Sequence, residues 1–403
     1  MTGRRGDWET GRRGNGETPS PNTQHPTPNT LRILHVITSL DVGGAQKHLL
    51  SLVTGLRRRG HTADVAFFKN PSMIAPFTKS GARIYDLSAP GTFSPMLVPR
   101  LIGILRRGRY DVVHTHLLKA DSYGTLAGVL AGTPVRIASK HNDERALLKP
   151  PVAVVHGLIS RLDHRVVVLS DYVGRYINGV GMVDRGRITR VYYGLPASSA
   201  ATPEVGPRLR AELGISPETP LVSTVGRLTE QKGLLYLLEA MAMVRQRRPE
   251  ARLLVVGDAQ DGRDEYKQEL LQARSRLELQ ESVIFTGVRE DVPAVMQAID
   301  LFVMASLWEG FGLVFLEAMA AAKPIVATRV SAVPEVVEEG VTGLLVPPRD
   351  PKALAEAMLS LLADRELARS MGRAGLLRLQ ERFTEERMVD EIEELYLELR
   401  RRR

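Results

Sequence analysis

Two carboxylates stand in a segment that otherwise reads as apolar. Glu309 and Glu317 lie within SLWEGFGLVFLEAMAAAKPIVAT, residues 306–328, beside Leu313, Val314, Leu316, Ala318 and Met319. A carboxylate in such surroundings costs free energy unless something hydrogen-bonds it, and a ligand can be that something. The plainer alternative for Glu317 is pairing with a neighbouring helix. Gly310 and Gly312 bring no Cβ, so backbone N–H groups there can approach phosphate or sugar oxygens closely, or the two glycines simply shape the turn. Upstream, Arg227 and Lys232 occur in VGRLTEQKG, after a strand pattern and at the start of a helix pattern. Backbone N–H groups and the helix dipole favour an anion at such a place. Each alone is an ordinary surface charge; together they suit a diphosphate, with Glu309 accepting hydrogen bonds from sugar hydroxyls and Glu317 from a ribose.

Histidines form a second constellation. His114 and His116 in DVVHTHLLKADS are two apart, so on an extended strand they share a face, with His116 nearer the carboxyl end. His141, in SKHND, ends another strand pattern. For each, the alternative is a satisfied polar residue at a strand end. Zinc fits His114, His116 and His141 poorly, because they bring neither cysteine nor a helical HExxH spacing.

Such residues need a scaffold that gathers distant strand ends. LRILHVITSLDVGGAQKHLLSLVTGLRRRGHTADVAFF reads as a buried strand over 33–37, a loop with Gly43 and Gly44, a helix, a stop at Gly60 and a second strand. PLVSTVGRLTEQKGLLYLLEAMAMVRQRRPEARLLVVGD repeats that grammar, with strands over 221–225 and 253–256. Two starts predict an α/β protein of two Rossmann-like, doubly wound parallel-sheet domains, with ligands at the carboxyl ends of the strands and a cleft between the domains. The expected divisions are 31–195 and 208–383, with a hinge inside 191–207 where Gly, Pro, Ser and Ala cluster. A last helix, 384–403, carries Met388, Ile392, Leu395, Tyr396 and Leu399 on one face, which must pack on something, the first domain being the candidate. Residues 1–30 read as a disordered tail, not a secretory leader.

Composition sets wide bounds. The 403 residues, 43% apolar and 25% charged, suffice to bury two cores. The lack of cysteine excludes disulfides, thiolate metal sites and a cysteine nucleophile, and makes the cytoplasm the expected compartment. No run of about 18 uncharged apolar residues is present to span a bilayer. Part of the net charge of +8 falls in runs, at Arg57, Arg58 and Arg59, at Arg106, Arg107 and Arg109, and at the terminal arginines. Helix ends account for such runs through the dipole. As a partner signal they fit an anionic membrane surface or a phosphorylated substrate better than nucleic acid, since no aromatics interleave them. Neither glycine loop carries GxGxxG, which sets aside a nicotinamide dehydrogenase.

From about Leu31 onward the chain resembles the retaining nucleotide-sugar glycosyltransferases of family 4, which have the two-Rossmann GT-B fold. VGRLTEQKG, EGFGLVFLEAMAAAKPIVAT and VTGLLVPPRDP carry the resemblance most specifically. It implies donor phosphate binding by Arg227 and Lys232, sugar binding at Glu309 and the adjoining Gly310, Phe311, Gly312 and Leu313, and ribose binding by Glu317. FTGVRED resembles the loop that meets the nucleotide base, largely through backbone, at Gly287, Val288 and Arg289; DVGGAQ resembles the loop that closes over the diphosphate, at Gly43 and Gly44. The resemblance points to His116 at the donor sugar and reaction centre, with His141 and Gln46 on the acceptor side. Gln46 stands where a glutamate is common, and Tyr193, Gly194, Leu195 and Pro196 stand where many relatives read Asn-Gly-Val-Asp. Those departures bear on acceptor choice and interdomain contacts.

A nucleoside diphosphate leaves as a stable anion, so the implied reaction calls for positive charge at the phosphate more than for a strong acid. The chain has no Asp-x-Asp tripeptide of the metal-dependent sugar transferases, so neither a metal nor another cofactor is expected. Retention implies front-face attack by the acceptor, with the departing phosphate helping to take its proton; no carboxylate pair for double displacement is assignable. The HTH and SKHND segments look most like bacterial enzymes of cell-surface polysaccharide assembly, which implies a glycan or lipid-linked acceptor at the inner face of the cell membrane. Two other classes compete. A nucleotide-sugar epimerase shares the architecture, though the set Arg227, Lys232, Glu309 and Glu317 argues against it, and a non-catalytic nucleotide-sugar-binding scaffold would bind without turnover.

Overall fold

The computed structural model describes residues 30–88, 94–142, 150–180, 183–196, 202, 204–259 and 264–403. Residues 1–29 of the expected tail, and part of the expected hinge, lie outside that set. In the first half, β1 (Arg32–Ile37), β2 (Thr62–Phe67), β3 (Ile84–Asp86), β4 (Val112–His116), β5 (Val135–Lys140), β6 (Arg165–Val168) and β7 (Ile188–Arg190) form a sheet in the order β3-β2-β1-β4-β5-β6-β7. In the second, β8 (Leu221–Val225), β9 (Arg252–Val256), β10 (Val283–Gly287), β11 (Leu301–Met304), β12 (Ile325–Thr328) and β13 (Gly343–Val346) form another, in the order β10-β9-β8-β11-β12-β13. The ladders joining these strands are parallel. Strands covered on both faces must be apolar along their length, and β1, with Ile33, Leu34, Val36 and Ile37 fully buried, meets that demand.

The strand order reverses between β1 and β4 in one sheet and between β8 and β11 in the other. Connections leaving such a pair pass to opposite faces and leave a crevice at the carboxyl ends. The loop after β1 carries Gly43 and Gly44, β4 ends at His116, the loop after β8 carries Arg227 and Lys232, and the loop after β11 carries Glu309 to Gly312. All four therefore meet at switch points, as the fold class requires.

Two chain crossings tie the halves together. The Leu195 N–H donates to the Phe383 carbonyl at 2.9 Å, and the Glu385 N–H donates to the Leu195 carbonyl at 3.1 Å. The helix Glu385–Arg401 then lies on the first sheet, where Met388, Val389, Ile392, Leu395, Tyr396 and Leu399 share a core with Ile33, Leu52, Val65 and Ile137. This helix also accounts for one basic run. Arg58 pairs with Glu385, while Arg59 reaches Asp390 at 2.6 Å and Glu393 at 2.8 Å. Arg58 and Arg59 thus find partners within the chain: a helix rich in acidic residues supplies their counter-charge. Among the described residues no helix is long and apolar enough to cross a membrane.

The crossings approach so closely that a Cβ on Gly194 would overlap the backbone of Thr384 and Glu385. Gly194→Ala is expected to lower stability by about 1–3 kcal/mol, as overpacking does. Gly186→Ala, at a position with no neighbour within 4 Å, should change it far less. Urea denaturation of both variants checks the pair, and equal losses would show that the crossing tolerates a methyl group.

Candidate functional site

The second-domain side of the site is built on two loops held to each other. The Leu307 N–H donates to the Gln231 carbonyl at 2.7 Å, and the Gln231 amide donates to the Trp308 carbonyl at 3.0 Å. Gly233, with φ +60°, lies against the Ala305 carbonyl where no Cβ would fit, so the loop after β8 folds across the end of β11. Lys232 is thereby aimed at Glu309: its Nζ lies 2.6 Å from Oε2. Ser306 Oγ is 3.4 Å from the same oxygen. Glu309 is only 7% exposed, so the ammonium supplies the compensation that burial demands. Arg227, by contrast, is exposed and has no ion pair among the described residues.

The turn after Glu309 is where the second domain meets the first. A Cβ on Gly310 would stand 2.8 Å from the His141 carbonyl oxygen and 2.9 Å from Asn142 Oδ1, and the Gly310 carbonyl accepts from Ser170 Oγ at 3.0 Å. Phe311 is buried, its ring 5.3 Å from Tyr193 and 5.7 Å from Phe383. Gly312, at φ +84°, opens the helix Leu313–Ala320. Leu313 Cβ is 3.9 Å from where a Cβ of Gly44 would lie, so this helix starts beside the start of the helix Gly44–Arg58. One turn further in, Lys47 Nζ pairs with Glu317 Oε1 at 2.8 Å. The partner of Glu317 thus comes from the other domain.

Not every expected residue joins this cluster through its side chain. Gly287 ends β10, two strands from β8 and so about 10 Å to the side. Val288 is exposed, while Arg289 is held by Asp291 at 2.8 Å and Glu212 at 3.0 Å, and these bonds raise its pKa. The Gln46 amide is buried and donates to the Ser39 carbonyl at 2.9 Å, which closes the glycine loop on itself.

The histidines form a buried row. β1 and β4 pair with His35 opposite His114. His35 Nδ1 lies 3.1 Å from His116 Nε2, His116 Nδ1 lies 3.0 Å from His141 Nε2, and His141 Nδ1 lies 2.6 Å from the Tyr193 hydroxyl. His114 sits beside the row, 2.5 Å from the Tyr396 hydroxyl and 2.7 Å from Ser139 Oγ. His48 stacks on Tyr193 with ring centroids 4.3 Å apart. Both ring nitrogens of His116 are engaged and its side chain is fully buried. Burial is the main cause that lowers the pKa of His35 and His48 to about 3, and it holds His114, His116 and His141 well below the usual value. The trio whose ring nitrogens come within 4.8 Å of one another is His35, His114 and His116, not the set with His141 considered above.

Lys47, His35 and His48 escaped the sequence reading, and Tyr396 was read there only as part of a packing face, not as a partner of His114. The one signal for His35 was a polar residue within the apolar run of β1; Lys47 and Tyr396 owe their positions to packing between distant segments.

Comparison with known proteins bears on this arrangement. Residues 43–194 match the model of a "Glycosyl transferase 4-like domain" and residues 219–364 that of "Glycosyl transferases group 1". The alpha-maltose-1-phosphate synthase of Mycolicibacterium smegmatis is 31% identical over 387 residues, covering 88% of this chain and 95% of that protein. The chain belongs to the family 4 glycosyltransferases. Another relative, the lipopolysaccharide core biosynthesis mannosyltransferase LpsB of Rhizobium meliloti, is 30% identical over 246 residues, 60% of this chain and 68% of that one. The crystal structure of Anabaena HepE in complex with UDP-glucose matches this glycosyltransferase with a TM-score of 0.82 at 26% identity, covering 91% of this chain and 99% of that one. The two parallel sheets and this match make the fold GT-B.

The buried histidines give this glycosyltransferase an acid limit. Unfolded, each ring protonates near 6.5; folded, it protonates much lower. The unfolded chain therefore takes up protons first as the pH falls, and stability, complete above about pH 6.5, drops by about 1.4 kcal/mol per pH unit for each ring. His48→Phe keeps the stack on Tyr193 and removes one titrating group and one unpaired nitrogen. Its urea midpoint is expected to fall less steeply below about pH 6.5, by one proton's worth of slope. Parallel acid limbs for the two proteins would show that His48 does not stay neutral when buried.

Proposed function

We propose that this glycosyltransferase moves a sugar from a nucleotide-sugar donor to a glycan or lipid-linked acceptor, with retention of anomeric configuration and without a metal ion. The observation that carries the reading is the meeting, at the carboxyl-end crevices of both sheets, of Lys232 with Glu309 and of Lys47 with Glu317. Metal independence rests on the want of an Asp-x-Asp tripeptide and on the supply of cations at the seam. In this reading Glu309 receives sugar hydroxyls, Glu317 receives the ribose, and the exposed Arg227 joins Lys232 at the diphosphate. Gly43, Gly44, Gly310 and Gly312 let backbone approach the ligand, and Gly287 to Arg289 meet the base. The departing phosphate helps to take the acceptor's proton, stabilised by fixed positive charge. His116 lies at the reaction centre, with His141 on the acceptor side. The HepE complex with UDP-glucose supports a nucleotide-sugar donor. LpsB, by its name, and the HTH and SKHND segments support a role in cell-surface glycan or glycolipid synthesis, in the cytoplasm and peripheral to the inner face of the membrane.

Lys47 has two roles here. In the free enzyme it neutralises Glu317; once a ribose takes that carboxylate, the ammonium stands at the start of the helix Gly44–Arg58, free to meet the diphosphate.

The test is release of nucleoside diphosphate from a panel of nucleotide sugars in the presence of a chelator. Turnover from one donor is expected, falling about a hundredfold or more in Lys232→Ala and Glu317→Ala variants that remain folded. No release and no binding with any donor and acceptor would end the reading; binding without turnover would leave a scaffold. Lys47→Ala gives a second measurement with opposite signs. UDP should bind about tenfold more weakly through loss of a charge-assisted bond, while uridine should bind more tightly because Glu317 is no longer occupied. Equal weakening of both ligands would contradict the exchange.

A further inference from the structure

A recess of about 450 Å³ opens at the amino ends of β5, β6 and β7. It lies at the edge of the first sheet opposite the carboxyl-end crevice, a strand's length or roughly 15 Å away. Arg136 enters it from the start of β5, Arg165 from the start of β6, Arg187 from just before β7, and Arg161 from the preceding turn. Arg402 and Arg403 reach it from the end of the C-terminal helix. Arg402 pairs with Glu398, but the other five have no carboxylate partner among the described residues.

Backbone carbonyls hold several of these guanidinium groups instead. Arg136 Nε donates to Leu162 at 2.9 Å and Nη1 to Thr133 at 3.0 Å, Arg187 Nη1 donates to Arg161 at 2.7 Å, and Arg165 Nη1 donates to His164 at 3.0 Å. Such bonds fix a cation in place without cancelling its charge. The acidic side chain among the lining residues is Asp163, which is 2% exposed. Its Oδ1 accepts from Thr125 Oγ1 at 2.9 Å, and its Oδ2 has no partner. Burial pushes the Asp163 acid up to about 7, so it does not supply a full counter-charge. The surplus is felt next door, where burial and then Arg136, Arg403, Arg187 and Arg165 lower His164 to about 4.

We propose that this recess binds a phosphoryl anion, as a second ligand site apart from the diphosphate site of the proposed reaction. Guanidinium groups match phosphate oxygens two at a time, and here they converge already positioned. The surroundings favour a phosphate carried on a lipid. Leu162 and Leu399 line the recess, and the helix Pro150–Ser160 that leads to it exposes Val154, Val155 and Leu158. The packed neighbour Leu118–Ala131 exposes Leu126 and Leu130. An apolar face rimmed by arginines suits an anionic bilayer, with a headgroup in the recess and acyl chains against the helices.

The full chain, with and without Arg161→Glu and Arg403→Glu together, is sedimented with phosphatidylcholine vesicles containing or lacking phosphatidylglycerol, and titrated with glycerol 3-phosphate. Both positions are exposed, and no ion pair holds either side chain among the described residues. A lipid source predicts retention by the anionic vesicles that falls about tenfold or more in the variant. A soluble source predicts glycerol 3-phosphate binding lost in the variant, without a vesicle preference. Nucleoside diphosphate release in solution should not change in either case, so failure of the reaction and failure of this site are read separately. Equal behaviour of wild type and variant toward both probes overturns the proposal.

Discussion

A carboxylate that is nearly out of water must be given a cation, and much of this cleft follows from meeting that demand twice. Glu309 takes Lys232, which obliges the loop after β8 to cross the end of β11, which in turn needs the left-handed Gly233 against the Ala305 carbonyl. Glu317 takes Lys47, and that pair fixes how the helix Leu313–Ala320 stands against the helix Gly44–Arg58. Such pairs add little net stability once desolvation is counted, but loss of one partner strands the other. Their effect is on geometry: each charge is held in a fixed place at the crevice.

The first sheet meets the same demand by the opposite route. Around the histidine row, burial keeps His35, His48, His114, His116 and His141 neutral with no acid for a partner, and the C-terminal helix closes over His114 through Tyr396. Charge at the crevice therefore gathers at the two lysine–glutamate pairs, while the histidine row is uncharged but rich in hydrogen bonds. The contrast is local, because Lys140 and Asp121, also buried in the first domain, do pair with each other.

Strands and switch points were legible because apolar runs such as Leu221–Val225 can be little else, and the observed β8 has those bounds. The meeting of Lys232 with Glu309 was half legible, since each stands at a strand-to-helix junction. Lateral relations were not. His35 sits in an apolar run and gains its meaning from lying opposite His114, and Lys47 meets a carboxylate 270 residues away. The basic signal shows the same limit from both sides. The run Arg57 to Arg59, conspicuous in the sequence, serves largely to hold the last helix, while the convergence of unpaired arginines comes from strands that begin side by side and are scattered along the chain.

The histidine row has a direction. A neutral imidazole carries one N–H, so each contact from His35 through His116 to His141 and Tyr193 holds one hydrogen, and all three rings must choose the same sense. In one sense the unpartnered His35 Nε2 is a stranded donor; in the other it is only an unused lone pair, which burial tolerates better. The second sense makes His141 donate to the Tyr193 oxygen. The phenol's own hydrogen is then turned away from the row, at a ring whose ionisation burial and Glu309 both oppose. A hydrogen bond made or lost by that hydroxyl would reach His35 only if every ring in between reversed together, so the interior of the first domain answers events at Tyr193 in a single concerted step.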